Sequence, residues 1–160
     1  MDDLGCVTQT ATEFAQQNKW FYRSILEMER SLARVRDEDN WDYVGLTSGV
    51  ELLPHADCEP LRLEFDENGY IQEYVKTQFA PPETHISIIE LLKRIEPHFS
   101  ILDVEDEGEY WSTGNRELLE SHFSRVFEVM DEEIKKNPGA TGPFRLSNGR
   151  IADLLEPDDA

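Results

Sequence analysis

The chain has 160 residues, 34 Asp and Glu against 15 Lys and Arg, and a formal net charge of −19 at neutral pH. Its length fits one domain, and its 39% hydrophobic and 10% aromatic content supplies a core, against general disorder. The acidity excludes a protein built to grip phosphate backbones or anionic membranes, since both need a basic footprint.

The first expected element is a long helix. Thr10-Ala11-Thr12-Glu13 has capping-box spacing. Phe14, Asn18, Phe21, Ile25, Met28, Leu32 and Val35 then recur at alternating steps of four and three, one helical face. Such a helix spans about 40 Å and ends in the turn-rich Asp37-Glu38-Asp39-Asn40. Leu61, Leu63 and Phe65 alternate with Arg62 and Glu64 as a strand. Asp66-Glu67-Asn68-Gly69 supplies a turn, Tyr70 to Phe79 forms the partner strand, and Pro81-Pro82 ends it.

A second helix starts at the capping box Ser87-Ile88-Ile89-Glu90, with Ile86 stapled on Leu91, and stops at Pro97. Phe99, Ile101 and Val104 read as a further strand. Asn115 caps a third helix lined by Leu119, Phe123, Val126, Phe127, Met130 and Ile134, with Lys135 and Lys136 in its last turn. Asn137-Pro138-Gly139 terminates it, and Phe144 to Ile151 forms a small hairpin around Ser147-Asn148-Gly149. The expected class is α+β. A mixed or antiparallel sheet of about four to five strands packs on three helices, in a single domain over 10–155. Residues 1–9 are expected to be flexible and 156–160 to form a frayed acidic tail.

Asp103-Val104-Glu105-Asp106-Glu107-Gly108-Glu109-Tyr110-Trp111 is the most unusual stretch, dense in carboxylates and closed by an aromatic pair. Asp103, Glu105, Glu107 and Gly108 mimic the start of a calcium loop, but the twelfth position is Gly114 instead of a bidentate Glu. Glu64, Asp66, Asn68 and Gly69 repeat the mimicry within a hairpin turn. An acidic chain produces such matches cheaply, so no metal is assigned. His55, His85, His98 and His122 are scattered, without paired ligands one helical turn apart. His55 and Cys58 would make a thiol–imidazole pair, yet Asp57 and Glu59 disfavour a thiolate there. There is no phosphate-cradling glycine loop, and no carboxylate pair stands out among so many. No catalytic residue and no cofactor is assigned.

No apolar run is long enough to span a membrane, and Met1-Asp2-Asp3-Leu4 lacks the character of a secretion signal. Two cysteines, Cys6 and Cys58, fit free thiols, and a cytoplasmic location is expected. Residues 19–36 carry Lys19, Arg23, Arg30, Arg34 and Arg36 against Glu27 and Glu29, a local +3 on a body of −22. A dense carboxylate field speeds encounter with a cationic partner.

In size, acidity and lack of a catalytic signature the chain resembles bacterial toxin-immunity proteins and other acidic inhibitors, a likeness of gross character without a diagnostic motif. The expectation is a non-enzymatic acidic binding protein for a basic, nuclease-like partner. Asp103, Glu105, Asp106, Glu107, Glu109, Tyr110 and Trp111 are its expected contact: carboxylates steer and aromatic rings anchor. Two alternatives stand beside it: an enzyme with an unrecognised carboxylate or metal site, and a structural protein. The last would oligomerise through the first helix, with Asn18, Ile25 and Leu32 at one seam position and Phe14, Phe21, Met28 and Val35 at the other, and the chain is expected to be a monomer or a dimer through that helix. No nucleic-acid or membrane partner is expected.

Overall fold

The computed structural model describes residues 3–155. Its elements are helix α1 (Leu4–Gln17), strands β1 (Phe21–Arg36), β2 (Asp39–Leu53) and β3 (Leu61–Asp66), helix α2 (Pro82–Ile95) with a 3-10 turn (Glu96–His98), the single turn α3 (Tyr110–Thr113), helix α4 (Arg116–Lys136), and strands β4 (Phe144–Arg145) and β5 (Ile151–Ala152). The class is α+β, with antiparallel sheets of three strands, ordered β1-β2-β3, and of two, β4-β5. Two compact units emerge, one comprising the described residues of Met1–Pro54, Pro60–Val75 and Arg94–Ser100, the other those of His55–Glu59, Lys76–Lys93 and Ile101–Ala160.

The expected long first helix does not form. α1 begins at Leu4, inside the stretch expected to be flexible, and ends at Gln17. Its stop is a Schellman motif. The Trp20 amide donates to the Ala15 carbonyl at 2.8 Å and the Lys19 amide to the Gln16 carbonyl at 3.2 Å, with Lys19 left-handed at φ 58°. The Trp20 ring packs edge-on to Phe14 at 5.2 Å, the apolar contact that accompanies this motif. Residues 21–36 then form the edge strand β1, so the helical dimer seam through Phe21, Ile25, Met28, Leu32 and Val35 is not present. A bulge explains the misleading periodicity. Between Glu27 and Arg30, β1 advances three residues while β2 advances two, from Thr47 to Gly45. Side-chain parity therefore switches midway, and no period of two runs through the strand.

β3 pairs with β2 and not with residues 70–79, which form no ladder. Tyr70 only closes the turn, its carbonyl accepting the Asp66 amide at 3.0 Å. One face of the β2–β3 pair is apolar, with Val50, Leu52, Leu61, Leu63 and Phe65 buried, and α1 packs its buried Val7, Ala11, Phe14 and Ala15 in the same unit. The other face is ionic. Arg23 meets Glu51 at 2.7 Å, Arg30 meets Glu64 at 2.9 Å, and Arg62 joins Glu51 and Glu64. Further along, buried Arg34 lies 3.8 Å from Asp66 and under the Tyr70 ring. The Gln72 amide bonds both the N–H and the carbonyl of Val35, capping the free edge of β1 there as a neighbouring strand would.

In the second unit α2 starts at Pro82, five residues before the expected capping box, because proline suits a first helical turn. Pro81-Pro82 thus opens a helix instead of ending a strand. Residues 99–104 are not a strand. Asn115 caps α4 as expected, accepting the Leu118 amide at 3.1 Å, and Leu119, Phe123 and Met130 are buried beneath it. Phe127 is 45% exposed. The final hairpin forms as expected, and the acidic tail over 156–160 lies outside the described residues. Buried Glu59 fixes this hairpin, accepting the Lys76 and Ile151 amides, each at 2.8 Å. No helix of the described residues is long and apolar enough to cross a membrane.

Candidate functional site

The acidic–aromatic stretch lies in the second unit as an extended segment followed by the turn α3. Exposure alternates along it. Ile101, Asp103, Glu105 and Glu107 face solvent, while Leu102, Val104 and Asp106 are turned partly inward. Extended backbone places alternate residues about 7 Å apart, so the outward residues form a row of three carboxylates next to an exposed isoleucine. Among the described residues, no cation pairs with Asp103, Glu105 or Glu107. Glu109, also exposed, is engaged by His122 Nε2 at 2.8 Å.

Asp106 does not join that row. Its side chain is 5% exposed, and its carboxylate holds the segment in place from within. Oδ1 accepts the Gly108 amide at 2.8 Å and Oδ2 the Trp111 amide at 2.8 Å. His85 Nε2, from α2, sits 3.1 Å from Oδ1, at ion-pair distance though out of line for a full hydrogen bond. Burial pushes the Asp106 carboxyl up, but the Trp111 amide, the His85 charge and the Gly108 amide outweigh it and hold the group below the usual aspartate value. Gly108 sits at a close approach, since a Cβ there would stand 2.6 Å from Leu119 Cδ1 and displace that buried side chain. Left-handed Glu109 at φ 58° then turns the chain into α3. Tyr110 and Trp111 are half-buried, and the Lys93 ammonium lies over the Trp111 ring at 3.5 Å.

Behind Asp106 runs a relay that no sequence spacing announces. His85 Nδ1 lies 2.7 Å from Thr77 Oγ1, and the imidazole packs edge-on to Phe123 at 5.7 Å. Hydroxyl, imidazole and carboxylate stand in the order of a nucleophilic triad. Thr77, however, is only 6% exposed, and the nearby hollow lined by Phe79, Phe127, Pro143, Arg145 and Ile151 is bounded by none of the three. The geometry ties residue 77, α2 and the acidic segment together more readily than it presents a nucleophile. Cys58 is equally unsuited to attack: it is fully buried, and burial, with the Glu59 charge, pushes its thiol up to about 12. His55 instead accepts the Asp57 amide at 3.0 Å.

The carboxylates of the acidic row are spread along a line and do not converge on a point. Among the described residues, the donors that do converge are Asp3, Cys6 and His98 of the first unit. No protein-family model, no curated protein and no solved structure matches this chain.

Proposed function

We propose that this chain is a non-enzymatic binding protein whose row of Asp103, Glu105 and Glu107, with Ile101 beside it, engages a basic, nuclease-like protein. The observation supporting this reading is the combination of an unpaired outward row with a backbone pinned by Asp106. The carboxylates gain nothing within the fold, while the inward anchor at Asp106, between Glu105 and Glu107, lowers the ordering cost of those two on association. Glu109 and the half-buried Tyr110 and Trp111 flank the row and enlarge the contact. Burial of Thr77 and the raised thiol of Cys58 weigh against an enzymatic reading.

The test is titration against a panel of small basic ribonucleases and deoxyribonucleases over a range of salt, with nuclease activity read in parallel. A one-to-one complex that weakens with salt and silences the nuclease is the expected result. Three partly exposed charge pairs at about 0.5–1 kcal/mol each amount to roughly 10- to 100-fold in affinity. The triple variant D103N/E105Q/E107Q should lose that much. Absence of any complex at low salt, or equal binding by the triple variant, refutes the proposal.

A further inference from the structure

Asp3, Cys6 and His98 each offer a donor atom, and the three atoms lie within 4.8 Å of one another. The arrangement follows from local structure. Asp3 is the N-cap of α1, and its carbonyl accepts the Val7 amide at 2.9 Å, so residue 3 is already in helical register. Asp3 and Cys6 are therefore three apart on one helix face. His98 closes the 3-10 turn Glu96–His98, which packs on α1 within the same unit. None of the three donors is otherwise engaged among the described residues. Asp3 makes no side-chain capping bond, and Cys6 is a free, exposed thiol. His98 lies in none of the ion pairs formed by His55, His85 and His122.

We propose that Asp3, Cys6 and His98 form a binding site for a borderline transition-metal cation, Zn²⁺ being the natural occupant. A thiolate and an imidazole select against Mg²⁺ and Ca²⁺, which take oxygen donors, and favour zinc. In a tetrahedral site, Zn–N lengths of about 2.0–2.1 Å and Zn–S of about 2.3 Å place donors about 3.3–3.8 Å apart. Asp3 and Cys6 are exposed side chains and His98 a half-buried one, so closing from within 4.8 Å by up to about 1.5 Å is within the reach of rotamer adjustment. Three protein donors leave the fourth position to water, which makes the site exchangeable instead of a closed structural centre. Thiolate and carboxylate together neutralise the dication, and their negative charge is favoured at the N-terminus of α1.

The experiment uses the whole chain, stripped with chelator and titrated with Co²⁺, then Zn²⁺. A thiolate-to-cobalt charge-transfer band should grow to one metal per chain and be bleached by Zn²⁺. Zn²⁺ should also slow alkylation of Cys6. C6S should abolish the band, H98A should weaken Co²⁺ binding about tenfold or more, and D3N should weaken it several-fold. A missing band, a band that survives C6S, a titration unchanged in H98A, or a stoichiometry of one metal per two chains each overturns the proposal. Circular dichroism checks that each variant keeps the fold, the half-buried His98 position above all.

Discussion

Replacing Asp106 by Asn tests whether the acidic row is held in place from inside. The carboxylate receives two short amide bonds on different oxygens, Gly108 to Oδ1 and Trp111 to Oδ2. Asn keeps one acceptor, and in either orientation its NH2 group faces one of the two amides. A hydrogen bond to a charged group contributes about 1.5–3 kcal/mol, and losing one of two sets the expected cost at about that value. With a urea slope of about 1–3 kcal/mol per molar, the unfolding midpoint should fall by roughly 1 M. The native Asp106 value lies below the unfolded value of about 3.9, so its contribution is complete above about pH 5. It is lost as pH falls through the native value. The gap between wild type and D106N should therefore be widest near neutrality and close in acid. Urea titrations at several pH values, followed by tryptophan fluorescence, measure both. An unchanged midpoint, or a gap that persists undiminished in acid, would refute the role given to Asp106.

Lys19→Gly should stabilise the chain by about 0.5–1 kcal/mol, since glycine removes the left-handed strain but adds unfolded-state entropy; a lower melting temperature would contradict the Schellman stop. Gly49→Ala should cost more than about 3 kcal/mol, because the added Cβ would stand 1.8 Å from the Leu63 carbonyl oxygen at φ 149°; wild-type stability of this variant would be incompatible with the β2–β3 register. Asp66→Asn keeps an acceptor for the Asn68 and Tyr70 amides yet strips the charge from buried Arg34. A loss of about 3 kcal/mol in denaturant unfolding is expected, and no loss would mean that Asp66 does not compensate Arg34. Mass spectrometry after brief alkylation of native protein should find Cys6 modified and Cys58 untouched until denaturant is added, given full burial and a thiol near 12.

How much of the fold the residues announce depends on where local chemistry is written in its usual letters. α4 is legible because Asn115 caps it with the expected side-chain bond and its apolar residues keep a helical period. The last hairpin is legible from Ser147-Asn148-Gly149. The end of α1 is not, because a lysine occupies the left-handed position where glycine normally stands. Beyond it, β1 is an edge strand with Ile25 as its buried apolar residue, and a bulge breaks its alternation. Its apolar residues then fall by coincidence on a helical spacing. Pairing of β3 with β2, instead of with the segment across its own turn, is a long-range choice. It joins the buried face of Val50, Leu52, Leu61, Leu63 and Phe65 and aligns ion pairs such as Arg62 with Glu51, none of which a local pattern encodes.

The site divides along the same line. That Asp103–Trp111 is a distinctive segment is plain from composition, but the inward turn of Asp106 sets it beside His85, itself bonded to Thr77, a meeting of residues far apart in sequence. Charge arithmetic alone also misplaces the field. The basic residues of 19–36 do not make an open patch: Arg23, Arg30 and Arg34 face Glu51, Glu64 and Asp66 across the first sheet. Glu59 is likewise spent on amides of its own unit. These acids hold the chain together. Asp103, Glu105 and Glu107 have no such employment, and neither do Glu117, Glu128, Asp131 and Glu132 in α4, all exposed and unpaired among the described residues. Carboxylates left facing water in one unit repel one another and weaken the fold that carries them. A cationic surface that neutralises them would recover that cost on association, so the proposed basic partner rests on the unpaired row more than on the total of −19.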